Sequence, residues 1–162
     1  MNWLKRIFGK ENKRPNNSAQ NPVQEFSKNM ESIKEAGSDD DGHYTDNVET
    51  IKQLKRDKKY DEAIEILLKC VDLTENESVK ANSKPVLDDK FSFLSEGRTN
   101  QWGVAPWYYE QLAIIYRNQK KYADEVAILE RYSKQPKAPG VGPQKLAERL
   151  VKARELVAKN HA

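Results

Sequence analysis

Between Ala105 and Tyr132 the apolar residues recur at helical spacing on two arms joined by a tight polar turn, which predicts a helical hairpin. A second pattern of the same kind runs from Asn47 to Leu73. There Val48, Ile51 and Leu54 form one stripe, Arg56–Tyr60 is the turn, and Ala63, Ile64, Leu67, Cys70 and Val71 line the returning arm. Ile66 and Leu73 widen that second face, so the arm is expected to be covered on more than one flank, as an inner helix of a stack is. Asp46 followed by Glu49 offers a capping-box-like start to the first arm.

The flanks carry weaker patterns. Val23, Phe26, Met30 and Ile33 fall on one narrow stripe after Asn21-Pro22 and before Gly37, which predicts a helix over 22–36 that needs a cover. That helix either caps the domain or docks into a partner's groove. A Pro/Gly break at Gln135–Pro143 precedes a strong helix over Gln144–Lys159, with Leu146, Ala147, Leu150, Ala153 and Val157 on its apolar side. Glu148–Lys152 and Glu155–Lys159 are favourable pairs on the polar side. This helix is expected to close the end of the stack, a homodimer interface being the alternative.

Between the hairpins lies an insertion over about 74–103, whose first half could extend or cap the preceding helix. Its second half carries Phe91, Phe93, Leu94 and Trp102, which argues for a packed loop or a single helical turn. At the other end of the chain, Met1–Lys10 interleaves Trp3, Leu4, Ile7 and Phe8 with Lys5, Arg6 and Lys10. The membrane-surface candidates Trp3, Leu4, Lys5, Arg6, Ile7 and Phe8 would make a weak interfacial contact, the blander reading being a mobile tail or a segment packed on the domain it precedes. Residues 1–45 are therefore expected to be a mobile N-terminal region, with an acidic linker at Ser38–Thr45, and 46–160 the helical domain.

Composition sharpens this picture by exclusion. Charged residues make up 33% of 162 and the mean hydropathy is −0.92, an excess of polarity expected to sit in solvated segments. The net charge of +3 is small and uneven: Lys5, Arg6, Lys10, Lys13 and Arg14 crowd the start, and five carboxylates lie between Asp39 and Glu49. Calcium binding by the acidic stretch fails, because setting Gly42 at the turn position puts Gly37 and Val48 where ligands are needed. His43 has no partners at zinc-ligand spacing, so no metal and no cofactor is expected. Cys70 reads as a small buried hydrophobe without a neighbouring base. No Gly-rich phosphate loop or nucleophile elbow is present, and the expectation is a protein that is not an enzyme. A single cysteine and the lack of a long apolar run suggest a cytoplasmic protein, peripheral at most to the inner face of a membrane.

The phrase KKYDEAIEILLKCVDL resembles the second half of a tetratricopeptide repeat. Tyr60 matches the family's turn tyrosine and Ala63 its small residue at the helix crossing, while Ile51 stands where glycine or alanine is usual. In the second hairpin Leu112, Ala113, Tyr116 and Tyr122 fit the pattern, and Glu125 replaces the expected alanine. The turn tyrosines lie 62 positions apart against a period of about 34, so about 28 residues are inserted. The resemblance implies an all-α fold: two degenerate repeats stacked as a short right-handed array with a C-terminal capping helix.

It also implies where a partner would bind, on the concave surface made by the first helix of each repeat. Those positions are Val48, Lys52, Lys55 and Arg56, then Trp107, Glu110, Ile114, Arg117 and Asn118. Tyr108 joins them because Trp107, Tyr108 and Tyr109 point in different directions, so that at least one is expected on the surface. Lysines and arginines beside a tryptophan suit an extended protein or peptide segment with acidic side chains or a terminal carboxylate. The expected function is that of a non-enzymatic adaptor or scaffold module. A membrane- or nucleic-acid-associated accessory protein using the basic start is the alternative. Nucleic-acid binding ranks lower because the core is not strongly basic.

Overall fold

A computed structural model describes residues 22–83 and 101–160. The described chain is all-α apart from one two-stranded ribbon. Helix α1 (Pro22–Ala36) leads into β1 (Ser38–Asp39) and β2 (Gly42–His43), then a 3-10 turn at Tyr44–Asn47. The helices α2 (Val48–Arg56), α3 (Tyr60–Asn82), α4 (Pro106–Asn118), α5 (Tyr122–Ser133) and α6 (Val141–Asn160) follow. Consecutive helices pack side by side: α2 on α3, α3 on α4, α4 on α5, and α6 over both α5 and α4. The core between them holds Ile51, Ala63, Leu67, Cys70, Tyr109, Leu112, Ile115, Leu129, Leu146 and Ala153.

The hairpins α2–α3 and α4–α5 share one turn. Asp57 and Gln119 end their helices at φ/ψ of −79°/1° and −83°/1°. Lys58 and Lys120 follow in the left-handed region, at φ 58° and 60°, and Lys59 and Lys121 sit at −80°/64° and −84°/65°. In each, the second residue past the helix end donates its N–H five residues back: Lys59 to Leu54 (2.9 Å) and Lys121 to Tyr116 (2.8 Å). Lys58 N–H to the Lys55 carbonyl (3.2 Å) and Lys120 N–H to that of Arg117 (3.0 Å) complete the pattern, which satisfies carbonyls that a helix end leaves open. Every element of the turn recurs 62 positions later.

Helix α3 outruns its counterpart α5 and uses the added turns as a polar spine. Thr74, Ser78 and Asn82, spaced four apart, lie along one side and grip the extended segment that enters α4. Thr74 Oγ1 accepts from Ala105 N–H (2.9 Å) and Ser78 Oγ donates to the Trp102 carbonyl (2.6 Å). Asn82 pairs with Trp102 in both directions, each bond 2.9 Å. The same segment is pinned from behind, where Val104 N–H reaches the Pro136 carbonyl (3.1 Å). Gly103 permits this: a Cβ there would lie 2.0 Å from the Ala138 nitrogen. The first half of the insertion thus extends α3. Phe91, Phe93 and Leu94 lie outside the described residues, as does the basic start Trp3–Phe8.

The acidic stretch expected as a linker is folded. Asp39 and Asp41 both meet Lys69 of α3 (2.8 and 2.6 Å), which draws the Asp39 carboxyl below its ordinary value. Gly42 makes the hairpin bend at φ 111°, where a side chain would be strained. Thr45 N–H donates to His43 Nδ1 (3.4 Å), leaving His43 Nε2–H to face Glu77 Oε1 (3.3 Å). Tyr44 is buried and donates to Glu77 Oε2 (2.6 Å), so a carboxylate with almost no exposure keeps two partners. The capping box belongs here too, formed by His43 and Asp46 around the 3-10 turn. Asp46 is therefore already inside a helical turn and does not cap α2 with Glu49, as the spacing suggested; Asn47 precedes α2 without a side-chain cap. Helix α1 lies against α3 with Ile33 buried and Met30 half-buried, while Val23 and Phe26 at the start of its stripe stay exposed, so the chain's own fold covers only the second half of that stripe.

Candidate protein-interaction face

Helices α2 and α4 are the first arms of the two like hairpins, so their outward sides carry corresponding positions: Val48 with Glu110, Lys52 with Ile114, Lys55 with Arg117, Arg56 with Asn118. One hydrogen bond ties the two helices together here, from Lys55 Nζ to Gln111 Oε1. Burial draws the Lys55 ammonium below its ordinary pKa, with Glu110 opposing that shift through its charge. Arg56 is held on its own helix by Gln53 Oε1, which accepts from Nε (3.1 Å) and Nη2 (2.6 Å). Both side chains are thus positioned by neutral amides, and neither amide cancels a positive charge. Lys52 differs, being spanned to Glu49 at 2.6 Å in an exposed pair of little energetic weight.

On α4, Trp107 is half-buried with its ring edge-on to Tyr108 (5.0 Å, 89°). Glu110 and Ile114 are half-buried and Asn118 is exposed. Val48 packs against the core from α2. Two of the expected binding residues face elsewhere. Tyr108 is buried and donates its hydroxyl to the Tyr44 carbonyl (3.1 Å), because the folded acidic stretch covers it. Tyr109 is buried as well, its hydroxyl on Glu75 Oε1 (2.6 Å), so of the three aromatics only Trp107 retains partial exposure.

Arg117 turns toward the inside. Its Nε donates to Glu125 Oε2 (2.7 Å), while Arg149 Nε of α6 donates to Glu125 Oε1 (2.8 Å). Glu125 is completely buried, and Arg149 Nη2 reaches the Ala113 carbonyl (3.2 Å). The off-pattern glutamate is therefore an ionic clasp between the second hairpin and α6. The sequence flagged its position but gave no sign of the arginine from α6, which lies 24 residues on. Gln111 and Gln53, which fix the cations, were also missed; Gln53, one turn before Arg56, carried a local signal, whereas Gln111 lies 56 positions from Lys55 and carried none.

Of the expected positions, Lys52, Arg56 and Asn118 are exposed and Lys55, Trp107, Glu110 and Ile114 half-buried, with the Lys55–Gln111 bond joining α2 to α4. Cys70 offers no chemistry, because burial pushes its thiol up to about 11. No group of three or more metal-ligating side chains occurs among the described residues, and no described helix is long and apolar enough to cross a membrane. No protein-family model, curated protein or solved structure matches the chain.

Proposed function

We propose that this chain is a non-enzymatic adaptor: a short tetratricopeptide-like array that binds a protein or peptide segment across α2 and α4. The observation that carries the reading is the pair of cations held by amides, Lys55 by Gln111 and Arg56 by Gln53. Neither makes an ion pair among the described residues, although Glu110 and Glu49 lie near enough to act on them, so each can take a carboxylate from outside, and a carboxylate bond to such a group is worth more than one between neutral partners. Ile114 and Trp107 on the neighbouring helix supply apolar area beside them. The duplicated turn supports the repeat reading, since it makes α2 and α4 equivalent first helices of two stacked units.

The test is selection from a random peptide library on the intact chain, followed by NMR mapping of the best binder. The expected result is enrichment of acidic peptides and shift changes confined to α2 and α4. Lys55→Glu with Arg56→Glu should weaken binding at least tenfold. Binders without acidic residues, or mapped to another face, would overturn the reading. Arg117 is unsuitable for this test, because it supports Glu125.

A further inference from the structure

On a different side of the molecule a depression of about 180 Å³ opens at the junction of α3, α4 and α5, lined by Leu68, Tyr116, Asp124, Ala127, Ile128 and Arg131. Its floor is apolar, and Leu68 is 36% exposed there. Its rim is acidic. Glu65 and Asp72 stand one turn to either side of Leu68 on the same face of α3, and Asp124 faces them from α5. Asp72 is answered by Arg131 (2.6 Å), whereas no cation among the described residues pairs with Glu65 or Asp124. An exposed leucine between unanswered carboxylates calls for an occupant that is apolar on one side and basic around it.

We propose that this occupant is the chain's own start, Trp3–Phe8, docking in cis. Its sequence matches the cleft in both respects, with Trp3, Leu4, Ile7 and Phe8 to fill the floor and Lys5, Arg6 and Lys10 to meet the rim. Reach is sufficient. Residues 9–21 separate the segment from α1 and span up to roughly 45 Å when extended, while a folded body of this size has a radius of gyration of about 14 Å. A tether of this length also holds the segment at an effective concentration on the order of millimolar, so modest contacts suffice. The same residues are those that would enter a membrane interface, so docking in the cleft withholds them from lipid.

The test labels the full-length chain with 5-fluorotryptophan and follows Trp3 by fluorine NMR, with Trp102 and Trp107 reporting on the fold. Docking predicts a Trp3 signal displaced from that of a free peptide of residues 1–14, and unchanged on hundredfold dilution. The displacement should be lost in Leu68→Lys, and also in Lys5→Glu with Arg6→Glu, a variant that leaves the cleft intact. Vesicles rich in anionic lipid should compete, moving the signal in proportion to lipid added. A Trp3 signal at the free-peptide position overturns the proposal. So does a displacement that survives both variants, which places the segment elsewhere, or one that fades on dilution, which assigns the cleft to a second copy.

Discussion

The two hairpins have the same turn and opposite interiors. Position 51 of the first is isoleucine and its counterpart 113 is alanine; position 63 is alanine and its counterpart 125 is glutamate. All four are fully buried. In each hairpin one large and one small residue occupy the two sites, with the order reversed between them. The difference lies in what packs alongside. The first hairpin is followed by α4, which meets α3 through apolar residues and the Glu75–Tyr109 bond. The second is followed by α6, which brings Arg149 to a carboxylate. The lesson is that one backbone design can be closed by oil or by charge, according to its next neighbour.

The sharpest way to break this contrast is to exchange the residues. Ala63→Glu would bury a carboxylate without arginines, and is expected to prevent cooperative thermal unfolding altogether. Glu125→Ala, which leaves small residues at both sites of the second hairpin, strands Arg117 and Arg149 against each other. It should cost about 3–5 kcal/mol in denaturant unfolding. Adding Arg117→Met and Arg149→Met to that variant should recover most of the loss, because an apolar replacement for a whole buried ionic group is often neutral. If the triple variant is no more stable than Glu125→Ala, the clasp is not the reason for the glutamate.

Smaller effects test the parts around the hairpins. Gly103→Ala should cost about 1–3 kcal/mol by pushing the segment away from Ala138. Thr74→Val, which leaves the Ala105 N–H unanswered, should cost about 1–2 kcal/mol in the same assay. The shared turn predicts equality: Lys58→Gly and Lys120→Gly should each stabilise by about 1 kcal/mol, since lysine is strained at that φ. Unequal gains would show that the turns differ energetically despite their matching torsions. Removing the exposed pair with Lys52→Ala should change stability by less than about 0.5 kcal/mol.

The hairpins were legible because their signals are local. The repeated KKY, the tyrosines at 60 and 122, and the stripes on each arm all lie within a few turns of the bonds they predict. The acidic stretch was illegible because its partners are distant: Lys69 and Glu77 belong to α3 and have no sequence relation to Asp39 or His43. Thr74, Ser78 and Asn82 gave no sequence sign of their grip on the segment before α4, since small polar residues look alike whether they face water or a peptide backbone. For the proposed binding face, the repeat resemblance named candidate cations but could not give the direction of their side chains. Arg117 occupies the position that corresponds to Lys55 and turns inward, because a buried glutamate eight residues on, shared with Arg149 of α6, receives it.

The mutual pairing of Asn82 with Trp102 brings the two ends of the intervening connection, residues 84–100, to one place on the spine of α3. The separation of those ends is therefore set by the helices and not by what joins them. Because Asn82 and Trp102 hold that junction themselves, the closure entropy of whatever chain joins them, about 0.6 kcal/mol for each doubling of its length, is offset at a point the described helices already fix.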